Sequence, residues 1–268
     1  MTRSESILLV GCGKMGSALM DGWIGQGTPP DAIYVVDPMQ PDLPTGVAGG
    51  AAFEDIPDGF DATVVVLAVK PQVMDAVLAP YPALVRPGAV FLSIAAGRTI
   101  ASFEAVLGAD ARIVRAMPNT PAAVGRGVTV LAGNDHVTDD QRTACEALMT
   151  AVGKVAWVAD EGLIDAVTGV SGSGPAYVFH LVEAMADAGI AAGLSPALAM
   201  QLARETVAGS GELLAQSDEP AATLRENVTS PGGTTAAALD ILMSDDGLTA
   251  LMTRAILRAT ERSRELAG

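Results

Sequence analysis

Positive charge is scarce in this chain. Lys and Arg together number 16 against 31 Asp and Glu, a formal balance of −15. A surface of that sign repels a phosphate backbone and an anionic membrane, so neither nucleic acid nor membrane is an expected partner. Aromatic residues make up only 4%, too few for a base-stacking platform, and packing falls to Ala, Val, Leu and Gly. Cysteine occurs twice, as Cys12 and Cys145. That excludes a disulfide framework and suits a reducing compartment, so the expected location is cytoplasmic. Long hydrophobic runs are also missing. The longest aliphatic stretch, Ala62 to Val69, has eight residues, where a membrane span needs about 20. The run Ile7 to Val10 is too short for the apolar part of a signal peptide. A mean hydropathy of +0.37 without a span points to extensive burial, part of it in subunit contacts.

What the chain does contain is a regular alternation. Ile7 to Val10, Ile33 to Val36, Thr63 to Val69, Val90 to Ile94 and Arg112 to Arg115 are continuous apolar runs rather than period-two ones, as expected for strands buried on both faces. Helix-like stretches separate them, which predicts a parallel sheet with crossover helices. Gly127 to Leu131 and Lys154 to Val158 add edge strands around an amphipathic helix from Asp139 to Val152. After Trp157 the strand-like runs stop and the rest reads as helix. Pro175 opens one helix that ends near Gly193, Ser195-Pro196 starts another, and more follow over Pro220 to Asn227, Thr234 to Met243 and Gly247 to Leu266. The expected organisation is an α/β chain, with a dinucleotide-binding domain over residues 1–160 and an all-α domain over 161–268. Both halves are acidic.

Gly11-Cys12-Gly13-Lys14-Met15-Gly16 follows the first strand and precedes the apolar stretch Ala18 to Ile24. In a G-x-G-x-x-G turn so placed, the first glycine allows the tight turn, the second lets the backbone approach a pyrophosphate, and the third lets helix and strand pack closely. The pyrophosphate sits on the helix N-terminus. Asp37 closes the second strand, where an acid binds a ribose 2′-hydroxyl. The competing readings are a glycine-rich turn that binds nothing and a methyltransferase nucleotide site. No Lys or Arg lies between Lys14 and Lys70, while Asp37 and Asp55 would repel a 2′-phosphate, so NADH is favoured over NADPH.

Ala68-Val69-Lys70-Pro71, Ala95-Ala96-Gly97 and Met117-Pro118-Asn119-Thr120-Pro121 each follow a strand, and so converge on the carboxyl edge where open α/β sheets bind ligands. Taken singly, Lys70 reads as a solvated lysine, which the convergence of the three loops reverses, and Asn119 between two prolines is a rigidly presented amide, with a good turn as the bland alternative. The helical half has six arginines, one histidine and no lysine, which excludes a catalytic lysine or Schiff base there. Its polar interruptions, Val170 to Pro175 and Asn227 to Thr235, each lead into a helix. Backbone N–H groups and hydroxyls at a helix start form a carboxylate site; the bland alternative is a capped turn. His136 and His180 stand at no recognised metal-ligand spacing with the cysteines, so no metal is expected.

In this order and spacing, the glycine turn, Ala68 to Pro71, Met117 to Pro121, Ala166 to Gly169 leading into Ser171 to Tyr177, and Thr229 to Thr235 resemble the pyrroline-5-carboxylate reductases over essentially the whole chain. The resemblance implies a Rossmann-like domain followed by a helical dimerisation domain, self-association, and reduction of 1-pyrroline-5-carboxylate to L-proline by hydride from NADH or NADPH. It also implies that Ser230, Gly233, Thr234 and Thr235 hold the substrate carboxylate and that Thr168 faces the imine nitrogen. By the same resemblance the cofactor lies along Gly11 to Gly16, Asp37, Ala68, Val69, Lys70, Pro71, Ala95 and Asn119. Asp55 stands where many relatives have Asn, which bears on their frequent use of NADPH. A related imine or hydroxyacid dehydrogenase, the latter usually with a lysine in its helical domain, and a silent nucleotide-binding regulator are the alternatives.

Overall fold

The computed structural model describes residues 5–267; residues 1–4 and 268, the ends of the two expected domains, lie outside them. The chain divides into two compact units. One runs up to Gly172 and regains the chain from Ala259 onward, and the other is Ser173–Arg258. By packing, the division falls after Gly172.

In the first unit the elements run β1 (Ile7–Val10), α1 (Lys14–Gly25), β2 (Ile33–Val36), β3 (Ala48–Gly50), β4 (Val64–Leu67), α2 (Met74–Leu78), β5 (Val90–Ser93), α3 (Ile100–Leu107), β6 (Ile113–Met117), β7 (Gly127–Gly133), α4 (Asp139–Thr150) and β8 (Gly153–Trp157). They form one eight-stranded sheet in the order β3-β2-β1-β4-β5-β6-β7-β8. All neighbours are parallel except β6 and β7. The continuous apolar runs have a simple cause. Ile7 and Leu9 face one core with Leu19, Trp23, Leu148 and Met149, while Leu8 and Val10 face a second with Met74, Leu78, Ile100 and Phe103. Both faces are covered by helices, so in β1 both residue parities are apolar. Trp23 locks α1 to α4 by donating its indole N–H to the Leu148 carbonyl at 2.8 Å.

Two strand expectations change. The run Thr63 to Val69 is strand only over Val64–Leu67, because Ala68 and Val69 turn out of the sheet at its ligand edge. β3, Ala48-Gly49-Gly50, has no strand signature, yet it pairs with β2. A Cβ at Gly49 would come 2.8 Å from the Val35 carbonyl oxygen, so the close approach itself selects glycine.

Leaving the sheet, the chain forms α5 (Ile164–Val167) and a π-helical turn, Thr168–Gly172. The expected glycine-rich interruption from Val170 is thus helical: the polar run is a widened turn, as often found at functional sites. α6 (Gly174–Ala191), α7 (Pro196–Gln216), α8 (Ala221–Asn227) and α9 (Thr234–Leu242) follow, and α10 (Leu248–Ala267) crosses the division between units. α6 and α7 pack through Ala186, Ala199 and Ala203, and Gly189 sits against Ala199 with no room to spare. Among the described residues no helix is long and apolar enough to cross a membrane.

Candidate functional site

The sheet order reverses between β1 and β4, and open α/β sheets bind ligands outside the strand ends at that point. Gly11 leaves β1 with φ +90°, and a Cβ there would come 2.9 Å from the Ala68 backbone. A Cβ at Gly16 would collide with the Gly11 carbonyl oxygen. At Gly13, by contrast, it would meet nothing within 4 Å. The outer two glycines are demanded by the chain's own packing, while the middle one borders open space through which a pyrophosphate can approach the backbone. Gly13 is also the N-cap of α1 and makes no side-chain capping bond, leaving the first-turn N–H groups to serve an anion. Lys14 is exposed beside it, and Met15 packs on the core. Cys12 is a buried filler. Burial first, then Asp37 and Asp21, push its thiol pKa up, which keeps it protonated and unreactive.

Asp37 is held by two backbone donors, the Cys12 N–H on Oδ2 at 2.6 Å and the Met39 N–H on Oδ1 at 2.8 Å. Each carboxylate oxygen keeps a second lone pair for a hydroxyl. Asp37 lines a cavity of about 640 Å³ with Asp42 and Asp55. Among the described residues no Lys, Arg or His lines it. Asp55 is fixed in turn by the N–H groups of Ala51 and Ala52 on Oδ2, and its carbonyl accepts from the Tyr34 hydroxyl. Asp42 was not singled out by sequence reasoning, because nothing local marks it; the fold brings it beside the other two acids.

Along the carboxyl edge, Ala68 and Val69 are half-buried, Lys70 is exposed, and Pro71 opens a 3-10 turn. Ala95 is buried, its N–H bonded to the Ser93 hydroxyl. Asn119 bridges two segments: its Oδ1 accepts the Val128 N–H at 2.9 Å, and its Nδ2 donates to the Ser171 carbonyl at 3.2 Å.

The segment carrying Thr168 is anchored at several points. Glu161 Oε1 accepts from the Ile100 N–H at 2.8 Å and from Arg115 Nη1 at 3.0 Å, and Arg115 is only 3% exposed. Ser263 of α10 donates to Asp165 at 2.7 Å. Neither anchor was expected, since each joins residues remote in the chain. Thr168 itself is half-buried and donates its hydroxyl proton to the Ile164 carbonyl at 2.8 Å. What its oxygen offers outward is therefore lone pairs.

In the second unit, Ser230 to Gly233 form a tight turn in which the Gly233 N–H bonds the Ser230 carbonyl at 3.0 Å, and Gly232 has φ +69°. Gly233 is the N-cap of α9 without a side-chain capping bond, and Thr234 and Thr235 open the helix. The turn thus presents hydroxyls and uncapped N–H groups together, as a carboxylate requires. Among the described residues no cluster of three or more His, Cys, Asp or Glu is placed to hold a metal ion.

Comparison with known proteins matches residues 161–266 to a family profile described as pyrroline-5-carboxylate reductase dimerisation, and residues 6–97 to one described as NADP oxidoreductase coenzyme F420-dependent. A pyrroline-5-carboxylate reductase of Pseudomonas aeruginosa is 42% identical over 97% of this chain and 96% of its own. Among solved structures, a pyrroline-5-carboxylate reductase from Coxiella burnetii aligns with a TM-score of 0.89 at 34% identity, covering 99% of this chain and 100% of the other. A Plasmodium falciparum pyrroline carboxylate reductase with NADP bound aligns with a TM-score of 0.79 at 29% identity, covering 98% of each.

Proposed function

The chain belongs to the pyrroline-5-carboxylate reductase family, and from that premise we propose how its residues reduce 1-pyrroline-5-carboxylate to L-proline. The observation that carries the reading is the glycine turn at the switch point, with open space at Gly13 alone and Asp37 fixed beside it. When bound, NADH or NADPH supplies a hydride to the imine carbon, and nitrogen retains the proton of the iminium form. Gly11 to Gly16 and the start of α1 hold the pyrophosphate, and Asp37 takes the adenosine ribose hydroxyls. Ala68, Val69, Lys70, Pro71 and Ala95 border the nicotinamide half.

Ser230, Thr234 and Thr235 bind the substrate carboxylate, while Gly233, expected there too, has its own N–H held by the Ser230 carbonyl and shapes the turn instead. Thr168, with its own proton committed to Ile164, accepts the iminium N–H and stabilises the charged, activated form. No strong protein acid is needed, and catalysis is mainly orientation. The three carboxylates of the ribose cavity favour NADH over NADPH.

The enzyme works as a dimer or larger assembly. Phe179, Leu213, Ile241 and Leu257 are 57–74% exposed in the single chain, more apolar surface than one domain leaves in water without a partner. Its location is cytoplasmic, in line with two free thiols. The testing experiment is the absorbance decay of NADH or NADPH with and without pyrroline-5-carboxylate. Substrate-dependent oxidation with proline formed in equal amount is expected, and cofactor binding without turnover would instead identify a silent nucleotide-binding protein.

A further inference from the structure

We infer that Asn119 is a positioning residue, whose amide holds the turn carrying Thr168 in register with the sheet edge that borders the nicotinamide. The inference rests on the reductase reading above. Its first support is that the amide has one possible orientation. The Val128 N–H can only meet an oxygen and the Ser171 carbonyl only an N–H donor, so the group spans its two partners and cannot flip. Asn119 backbone is extended, at φ −133° and ψ 167°, and it lies between Pro118 and Pro121, whose rings restrict the loop.

On the other side, Ser171 lies in the same π-turn as Thr168. Its hydroxyl donates to the Val167 carbonyl at 3.0 Å while that of Thr168 donates to Ile164, which ties the turn to α5. A displacement of Ser171 therefore carries Thr168 with it. A second close approach runs parallel to the bridge: a Cβ at Gly172 would come 2.5 Å from Met117 Cε, so the turn is seated directly on the end of β6. No other natural side chain of this length both accepts and donates as the amide does. One N–H and one oxygen lone pair of the amide are thereby committed to the bridge, and through it Asn119 acts on the placement of Thr168.

The test is Asn119→Asp, which keeps an acceptor for Val128 and loses the donor to Ser171. A displacement of about 1 Å at the reacting atoms costs up to about 100-fold. The expected result is a single-turnover hydride transfer roughly 10- to 100-fold slower, a larger primary isotope effect with 4-deuterated cofactor, and a cofactor Kd, by fluorescence titration without substrate, within about twofold of the unmodified value. A rate within twofold would overturn the inference, as would a cofactor Kd weakened in parallel with the rate, which would make Asn119 a cofactor ligand. Should Asn119→Asp fail to fold, Asn119→Ser, whose hydroxyl cannot span both partners, is measured in the same way and judged on the same outcomes. Absence of turnover in the unmodified chain would refute the parent reading, and with it the bridge, before any substitution is made.

Discussion

A 2′-phosphate entering the ribose cavity would meet Asp37, Asp42 and Asp55 with no lining cation among the described residues. Asp37 cannot swing away, because two backbone N–H groups hold its two oxygens. At about 6 Å and an effective dielectric of about 20, one pair of like charges costs about 3 kcal/mol. Salt with a Debye length of about 8 Å takes off roughly half. What remains from Asp37 alone is close to 1.4 kcal/mol, about tenfold, and the other two acids add to it. The expected kcat/KM is therefore at least about tenfold higher with NADH than with NADPH, measured at matched pH and ionic strength, with the gap closing as salt rises. Asp37→Ser narrows the gap while losing ribose binding, and Asp42→Asn narrows it by charge alone. A higher kcat/KM with NADPH in the unmodified chain would refute the reasoning, showing that a cation from outside the cavity lining reaches the phosphate.

The glycines of the turn should separate stability from binding. Gly16→Ala, driven into the Gly11 carbonyl, should lose about 1–3 kcal/mol in denaturant unfolding; Gly13→Ala should melt normally and bind cofactor more weakly, and equal behaviour of the two would contradict the assignment. Glu161→Ala leaves the buried Arg115 guanidinium without its carboxylate, and chemical denaturation should register a loss of about 3–5 kcal/mol; an unchanged midpoint would mean that water or another group already serves Arg115. Thr235→Ala should lower kcat/KM for pyrroline-5-carboxylate by the loss of a hydrogen bond to a charged group, about 1.5–3 kcal/mol, with cofactor Kd unchanged; an undisturbed kcat/KM would remove Thr235 from the carboxylate site. Sedimentation at sub-micromolar concentration should show no stable folded monomer, given exposed Ile241, Leu242, Met243 and Leu251; a persistent one would count against self-association.

Much of this was legible before folding. The apolar runs Ile7 to Val10, Ile33 to Val36 and Val90 to Leu92 are strands covered on both faces, and that demand is written into consecutive positions. The glycine spacing was legible for a related reason: tight turn, open approach and close packing are requirements on single residues a few positions apart. The π-turn at Thr168 to Gly172 was not, since its serine and two glycines carry the same local preferences as a loop. Nor was the role of Asn119, whose rigid presentation could be read from its prolines but whose partners, Val128 and Ser171, could not.

Sequence by itself determined the doubly covered sheet, the dinucleotide turn and the shift to helix after Trp157, because burial period and backbone freedom act over neighbouring residues. Tertiary structure decided that Ala48 to Gly50 is a strand, that Asp42 joins Asp37 and Asp55, that Arg115 is buried against Glu161, and that Thr168 offers lone pairs. Each depends on groups brought together by chain closure, and a pairing between distant residues leaves no periodic trace in either one.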